Sequence, residues 1–129
     1  MKENVIVEKS YAFALRIVKL AKKLREMKEH VFADQILRCG TSIGANLAEG
    51  QAAQTRPDFA YKIGISYKES CECHYWLRLL GDSETLPAQQ LEPLKNECYE
   101  ILRILSSIQR TIKGTEYHNG ALSLLIANC

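Results

Sequence analysis

Apolar residues along this chain recur at alternating steps of four and three, the spacing that holds side chains on one face of an α-helix. Phe13, Ile17, Leu20, Leu24 and Met27 form the first stripe, and Ala33, Ile36, Leu37, Gly40, Ile43, Gly44 and Leu47 the second. Phe59, Ile63, Ser66, Ser70, Cys73, Leu77 and Leu80 form a third, and Leu91, Leu94, Cys98, Ile101, Leu105, Ile108 and Ile112 a fourth. Each stripe needs a partner to bury it, and short polar connections between stripes make successive helices antiparallel neighbours. The pattern predicts an all-α, antiparallel up-down-up-down four-helix bundle, with helices over about 8–28, 33–53, 56–80 and 89–113. All 129 residues form one domain, and the tail, 114–129, is expected to be mobile.

Local signals sharpen these elements. Thr55-Arg56-Pro57-Asp58 combines an N-cap threonine, a first-turn proline and an acidic residue in the first turn, so the third helix starts there. Gly81 and Gly114 are the expected stops of the third and fourth helices. Pro93 either puts the start of the fourth helix at about Leu91 or kinks its first turns. Inside the second helix, Gly40 and Gly44 each cost roughly 1 kcal/mol relative to alanine, a cost that close approach of another helix would offset. The small residues Ser66, Ser70 and Cys73 make the third helix the expected neighbour of that glycine-rich face.

The polar residues Ser42, Asn46 and Glu49 form a second stripe on the same helix. The segment from Gln35-Ile36-Leu37-Arg38 through Thr41-Ser42-Ile43-Gly44-Ala45-Asn46-Leu47-Ala48-Glu49-Gly50 resembles the signature of the four-helix-bundle proteins encoded in intervening sequences of bacterial 23S ribosomal RNA genes. That family includes the accessory variability determinant of diversity-generating retroelements. Lys68 through Leu80, with Arg56 and Asp58-Phe59, is similar to further parts of the same pattern, and the likeness runs over roughly 8–113. Arg38, Ser42, Asn46, Glu49 and Gly50 are the positions that match the motif. The resemblance implies a homo-oligomer, a pentamer in the retroelement proteins, which form basic barrels and bind nucleic acid and a reverse transcriptase.

Charge adds a candidate surface. The net charge is only +2, but residues 1–28 carry eight Lys/Arg against three Glu, while the remainder is net acidic. Lys9, Arg16 and Lys23 recur every seven residues as a ridge beside the first stripe. With Lys19, Lys22, Arg25 and Lys28, and with Arg38 from the family motif, they are the candidate phosphate contacts for RNA or DNA. On the far side of the same helix Tyr11, Ala14, Leu15 and Val18 make a second apolar patch. An outer helix of a monomer has no use for it, so Tyr11, Leu15 and Val18 are the candidate interface with another copy.

Other chemistry finds little support. Cys39, Cys71, Cys73, Cys98 and Cys129 are odd in number and irregularly spaced, which argues for reduced thiols rather than a disulfide framework. A site from Cys71 and His74 completed by Cys39 or Cys98 is sterically allowed, but no metal or cofactor is expected. None of His30, His74 and His118 follows an acid by three residues, as a di-iron bundle requires. Arg25 and His30, with four residues between them, satisfy the spacing of a HEPN-type ribonuclease, although that motif belongs near the last helix of such domains. Nothing resembles a signal peptide or a membrane span of about 18 apolar residues, so the expected location is the cytoplasm. The expected function is a non-enzymatic, self-associating nucleic-acid-binding or scaffold protein, with a protein-only adaptor as the rival and a ribonuclease behind both.

Overall fold

The four apolar stripes fold as four antiparallel helices in the computed structural model, which describes residues 2–118. They are α1 (Lys2–Glu26), α2 (His30–Gln51), α3 (Arg56–Asp82) and α4 (Ala88–His118). Each packs against its neighbours in chain order and α4 closes the ring on α1. The α2–α3 pairing is the most extensive and α1–α4 the thinnest. Most of the core comes from the predicted stripes, led by Phe13, Ile17, Leu24, Ile36, Ile43, Leu47, Ile63, Leu77, Leu80, Leu91 and Ile101, and Ile6, Ala21, Cys39 and Leu86 are buried with them. Met27 departs from the first stripe and is exposed, because α1 has already ended.

The helix bounds differ from the spacing-based ones at both ends, for physical reasons. Helix α1 begins six residues earlier than expected, since Ile6 continues the buried stripe and is 1% exposed. It stops at Glu26, where Lys28 turns left-handed at φ 63 and Glu29 N–H returns 2.8 Å to the Leu24 carbonyl. The α3 stop is built the same way: Glu84 has φ 59 and Thr85 N–H donates to Leu80 O at 3.1 Å. Both are left-handed helix closures made without glycine. Gly81 therefore does not end α3 but lies inside it, where an added Cβ would sit 3.4 Å from Leu91 Cδ1. Gly114 likewise lies within α4, which runs on to His118, so residues 114–118 of the expected tail are helical. The stretch 119–129, with Leu122, Leu124, Leu125 and Ile126, lies outside the described residues. Thr55 caps α3 as predicted, its hydroxyl accepting from Asp58 N–H at 3.2 Å. Pro93 falls inside α4, which starts before it at Ala88.

The glycine face of α2 looks toward α1, not α3. A Cβ on Gly40 would lie 2.7 Å from Ile17 Cγ2, and one on Gly44 3.3 Å from Ser10 Oγ. Helix α3 reaches the α2 backbone differently: the buried Ser66 hydroxyl donates to the Ile43 carbonyl at 2.9 Å. So α2 is held closely on both sides, by missing side chains toward α1 and by a serine toward α3. Among the described residues, no helix is long and apolar enough to cross a membrane.

Candidate nucleic-acid interface

The motif residues of α2 are engaged within the protein. Arg38 Nη1 donates to Glu69 at 3.2 Å and its Nη2 pairs with Glu72, both on α3. Glu72 also accepts from Trp76 Nε1 at 3.0 Å, and these donors, Trp76 foremost and then Arg38, hold its carboxyl below the usual range. Asn46 Nδ2 donates to the Ser42 carbonyl one turn back at 2.8 Å, and Glu49 accepts from Lys62 at 2.6 Å. At Gly50 an added Cβ would meet Lys62 Cβ at 3.3 Å. Arg38, Ser42, Asn46, Glu49 and Gly50 thus line or border the α2–α3 seam.

The basic ridge of α1 splits in two. Lys9 reaches Glu100 at 2.6 Å, Arg16 forks onto Glu97, and Lys23 donates to Gln90 at 2.9 Å, all three on α4. Arg25 pairs with Asp34 at 2.6 Å. These contacts brace α1 against its neighbours and offset the charge that the sequence tally assigns to the first helix. Lys19, Lys22 and Lys28 are exposed and have no carboxylate partner among the described residues. Tyr11 and Leu15 are 66% and 52% exposed, while Val18 is half-buried beside them.

A third cluster escapes any helix-by-helix charge count. Helix α4 carries its acids Glu97 and Glu100 toward α1, while Lys95 and Tyr99 lie on the α3 side near His74 and Arg103 and Arg110 continue that stripe over the outer surface. Steps of four, four and seven keep those four on one stripe. The Arg103 guanidinium carbon lies 5.9 Å from the centre of the Tyr99 ring, and the His74 ring of α3 lies 5.9 Å from it on a 48° tilt. Partial burial and the charges of Arg78 and Lys95 lower the proton affinity of His74. Tyr99, Arg103 and Arg110 also line, with the carboxylate Glu100, an open groove of about 840 Å³ that runs past Val5 and Ile104 toward the start of α1. Among the described residues no carboxylate lies within ion-pair distance of Arg78, Arg103 or Arg110; Arg110 instead donates to Ser106 at 2.9 Å. The periodic signal was present in the sequence, but Glu92, Glu97 and Glu100 mask it when charges are summed along α4.

The remaining candidates are placed as follows. Cys39, Cys73 and Cys98 are buried where α2, α3 and α4 meet. Hydrogen bonding with Cys39 and Cys98, together with burial, pushes the Cys73 thiol well up, so it stays protonated. Cys71 is exposed, away from that trio, and no group of three His, Cys, Asp or Glu side chains among the described residues is disposed to hold a metal ion. Arg25 and His30 flank the α1–α2 turn, with the Arg25 guanidinium committed to Asp34.

Residues 2–107 match the family model described as 23S rRNA-intervening sequence protein. The chain belongs to the 23S rRNA-intervening sequence protein family. A solved relative is a protein of unknown function from the S23 ribosomal protein family of Bacteroides thetaiotaomicron VPI-5482, whose crystal structure was determined at 1.70 Å. It is 49% identical, with a TM-score of 0.81 over 84% of this chain and 98% of its own. No curated protein matches the chain. The span shared with the intervening-sequence proteins takes in the α2 motif, the whole of α1 and most of the Tyr99 cluster, with Arg110 just beyond it.

Proposed function

We propose that this member of the family is a non-enzymatic, self-associating scaffold that binds nucleic acid, RNA or DNA. The observation that carries the reading is the sorting of cations on its surface. Where a lysine or arginine braces the bundle, a carboxylate or amide stands opposite it, as in Lys9–Glu100, Arg16–Glu97, Lys23–Gln90 and Arg38–Glu69. Lys19 and Lys22 on α1 and Arg78, Arg103 and Arg110 around Tyr99 have no acid partner among the described residues, and Lys95 beside them meets Glu92 of its own helix at 3.7 Å. Such groups attract a polyanion and release its counterions on binding. Self-association is supported by the exposed Tyr11 and Leu15, an apolar surface that α1 does not need for its own burial. No catalytic step is assigned, since the Arg25–His30 pair offers an arginine already committed to Asp34.

The neutralised ridge favours one rival, a protein-only adaptor. Fluorescence anisotropy of the nucleic-acid-free protein with structured RNA, unstructured RNA and duplex DNA separates the two. Affinity that falls steeply between low and physiological salt supports the scaffold. Absence of binding to all three at low salt sinks it in favour of the adaptor.

A further inference from the structure

We infer that the Tyr99 cluster is a binding site for unpaired nucleotides, with a base stacked at Tyr99 and the flanking phosphates held by Arg78, Lys95, Arg103 and Arg110. The inference rests on the nucleic-acid reading above and assigns it a place and a substrate form. Three observations converge. First, like charges are held together: Lys95 and Arg103 lie eight residues apart on α4, and Arg78 joins Lys95 closely enough to weaken proton binding at His74. Like charges on one helix stripe oppose folding. Here a single acid, Glu92, reaches one of them, Lys95, at 3.7 Å, while Arg78, Arg103 and Arg110 have no carboxylate within ion-pair distance among the described residues, so the surface is suited to a polyanion. Second, the centre of the cluster is an aromatic ring left half open. Tyr99 is 50% exposed, with His74 against it and Arg103 above it. Rings and guanidinium planes of this kind stack on bases whatever their sequence. Third, the stripe is long. From Lys95 to Arg110 the helix rises about 22 Å, so phosphates on either side of a stacked base find cations.

The aromatic centre decides the class of ligand. An acidic polypeptide would use the cations and leave the rings idle, while a duplex would present phosphates but no free base face. An unpaired strand uses both.

The experiment is an anisotropy titration of the full chain with a labelled, unstructured RNA dodecamer and with a duplex of equal length, from 50 to 200 mM salt. Tyr99→Ala should weaken the single strand about tenfold. It should leave the duplex within about twofold, and Tyr99→Phe should restore the loss. Arg103→Gln should lower the salt slope by about 0.7, the single-strand increment for one phosphate contact. Single-strand binding should also raise the pKa of His74, read from its ring proton by NMR, because phosphates would offset Arg78 and Lys95. Tyr99 lies half in solvent, so the variants should keep the wild-type melting curve. If single strands bind but Tyr99→Ala and Arg103→Gln are silent while Lys19→Gln/Lys22→Gln abolishes binding, the site is wrong and the broader reading stands on α1. If a poly-glutamate peptide displaces the strand at equal charge concentration and Tyr99→Ala changes neither ligand, the surface is an acidic-peptide site. No nucleic-acid binding at 50 mM salt would overturn both readings together.

Discussion

Gly40 and Gly114 are both interior helix glycines, yet their surroundings are opposite. A Cβ at Gly40 would stand 2.7 and 2.8 Å from two carbons of Ile17, which is fully buried and β-branched and so has no free rotamer to retreat into. At Gly114 nothing lies within 4 Å. Intrinsic propensity favours alanine at both sites, by roughly 0.5–1 kcal/mol, so any difference between the two substitutions reads the packing term alone. Gly40→Ala should lower stability by about 1–2 kcal/mol, since overpacking a tight core outweighs the propensity gain. Gly114→Ala should raise it by a few tenths of a kcal/mol to about 1 kcal/mol. Urea denaturation with an unchanged slope would report both, and a stabilised Gly40→Ala would mean that α1 can move away from α2 cheaply.

At the scale of elements, α4 is a helix divided by charge. Its acids Glu97 and Glu100 meet the α1 ridge while Arg103 and Arg110 face solvent, which is how the thinnest helix pair in the bundle is held and how the Tyr99 stripe stays basic. The Arg16–Glu97 fork is the strongest of these links by geometry, with the Glu97 side chain 15% exposed. A double-mutant cycle of Arg16→Gln and Glu97→Gln should return a coupling of about 0.5–1 kcal/mol that shrinks in high salt, the upper range for a partly exposed pair. A coupling of zero would leave the α1–α4 seam to its apolar contacts. The same division explains what could be read from the sequence. Helix number, direction and nearly every core position follow from a period of 3.6, because burial is dictated residue by residue. The C-terminal ends of helices did not follow, since Lys28 and Glu84 close helices in a backbone region that glycine usually occupies while Gly81 and Gly114 do not. Nor did the fate of a charge, because Lys9 and Glu100 lie 91 residues apart in the chain and meet only once α4 has folded back on α1.

For the whole molecule the open question is what the outer face of α1 meets. Close approach at Gly40 draws α2 against α1, and further along α2 Ala45 and Ala48 are exposed. Tyr11 and Leu15 stand exposed on α1, with the exposed Lys19 and Lys22 on the turns that follow. A net charge of +2 offers little repulsion between copies. Self-association would also change the arithmetic of nucleic-acid binding. A single cluster of four cations is a weak site in physiological salt, but copies held in one oligomer would present it repeatedly, and each contact would raise the effective concentration of the next. Leu15→Gln/Val18→Gln removes the apolar patch without altering charge or touching the core stripe. It should yield a monomer of unchanged helicity by light scattering and circular dichroism. Affinity for a long unstructured RNA should drop by about 10²-fold while affinity for a dodecamer stays within a few-fold, because only the long strand bridges copies. An intact oligomer would move the interface elsewhere on the bundle, and a monomer that still binds the long strand at full strength would show that one copy suffices.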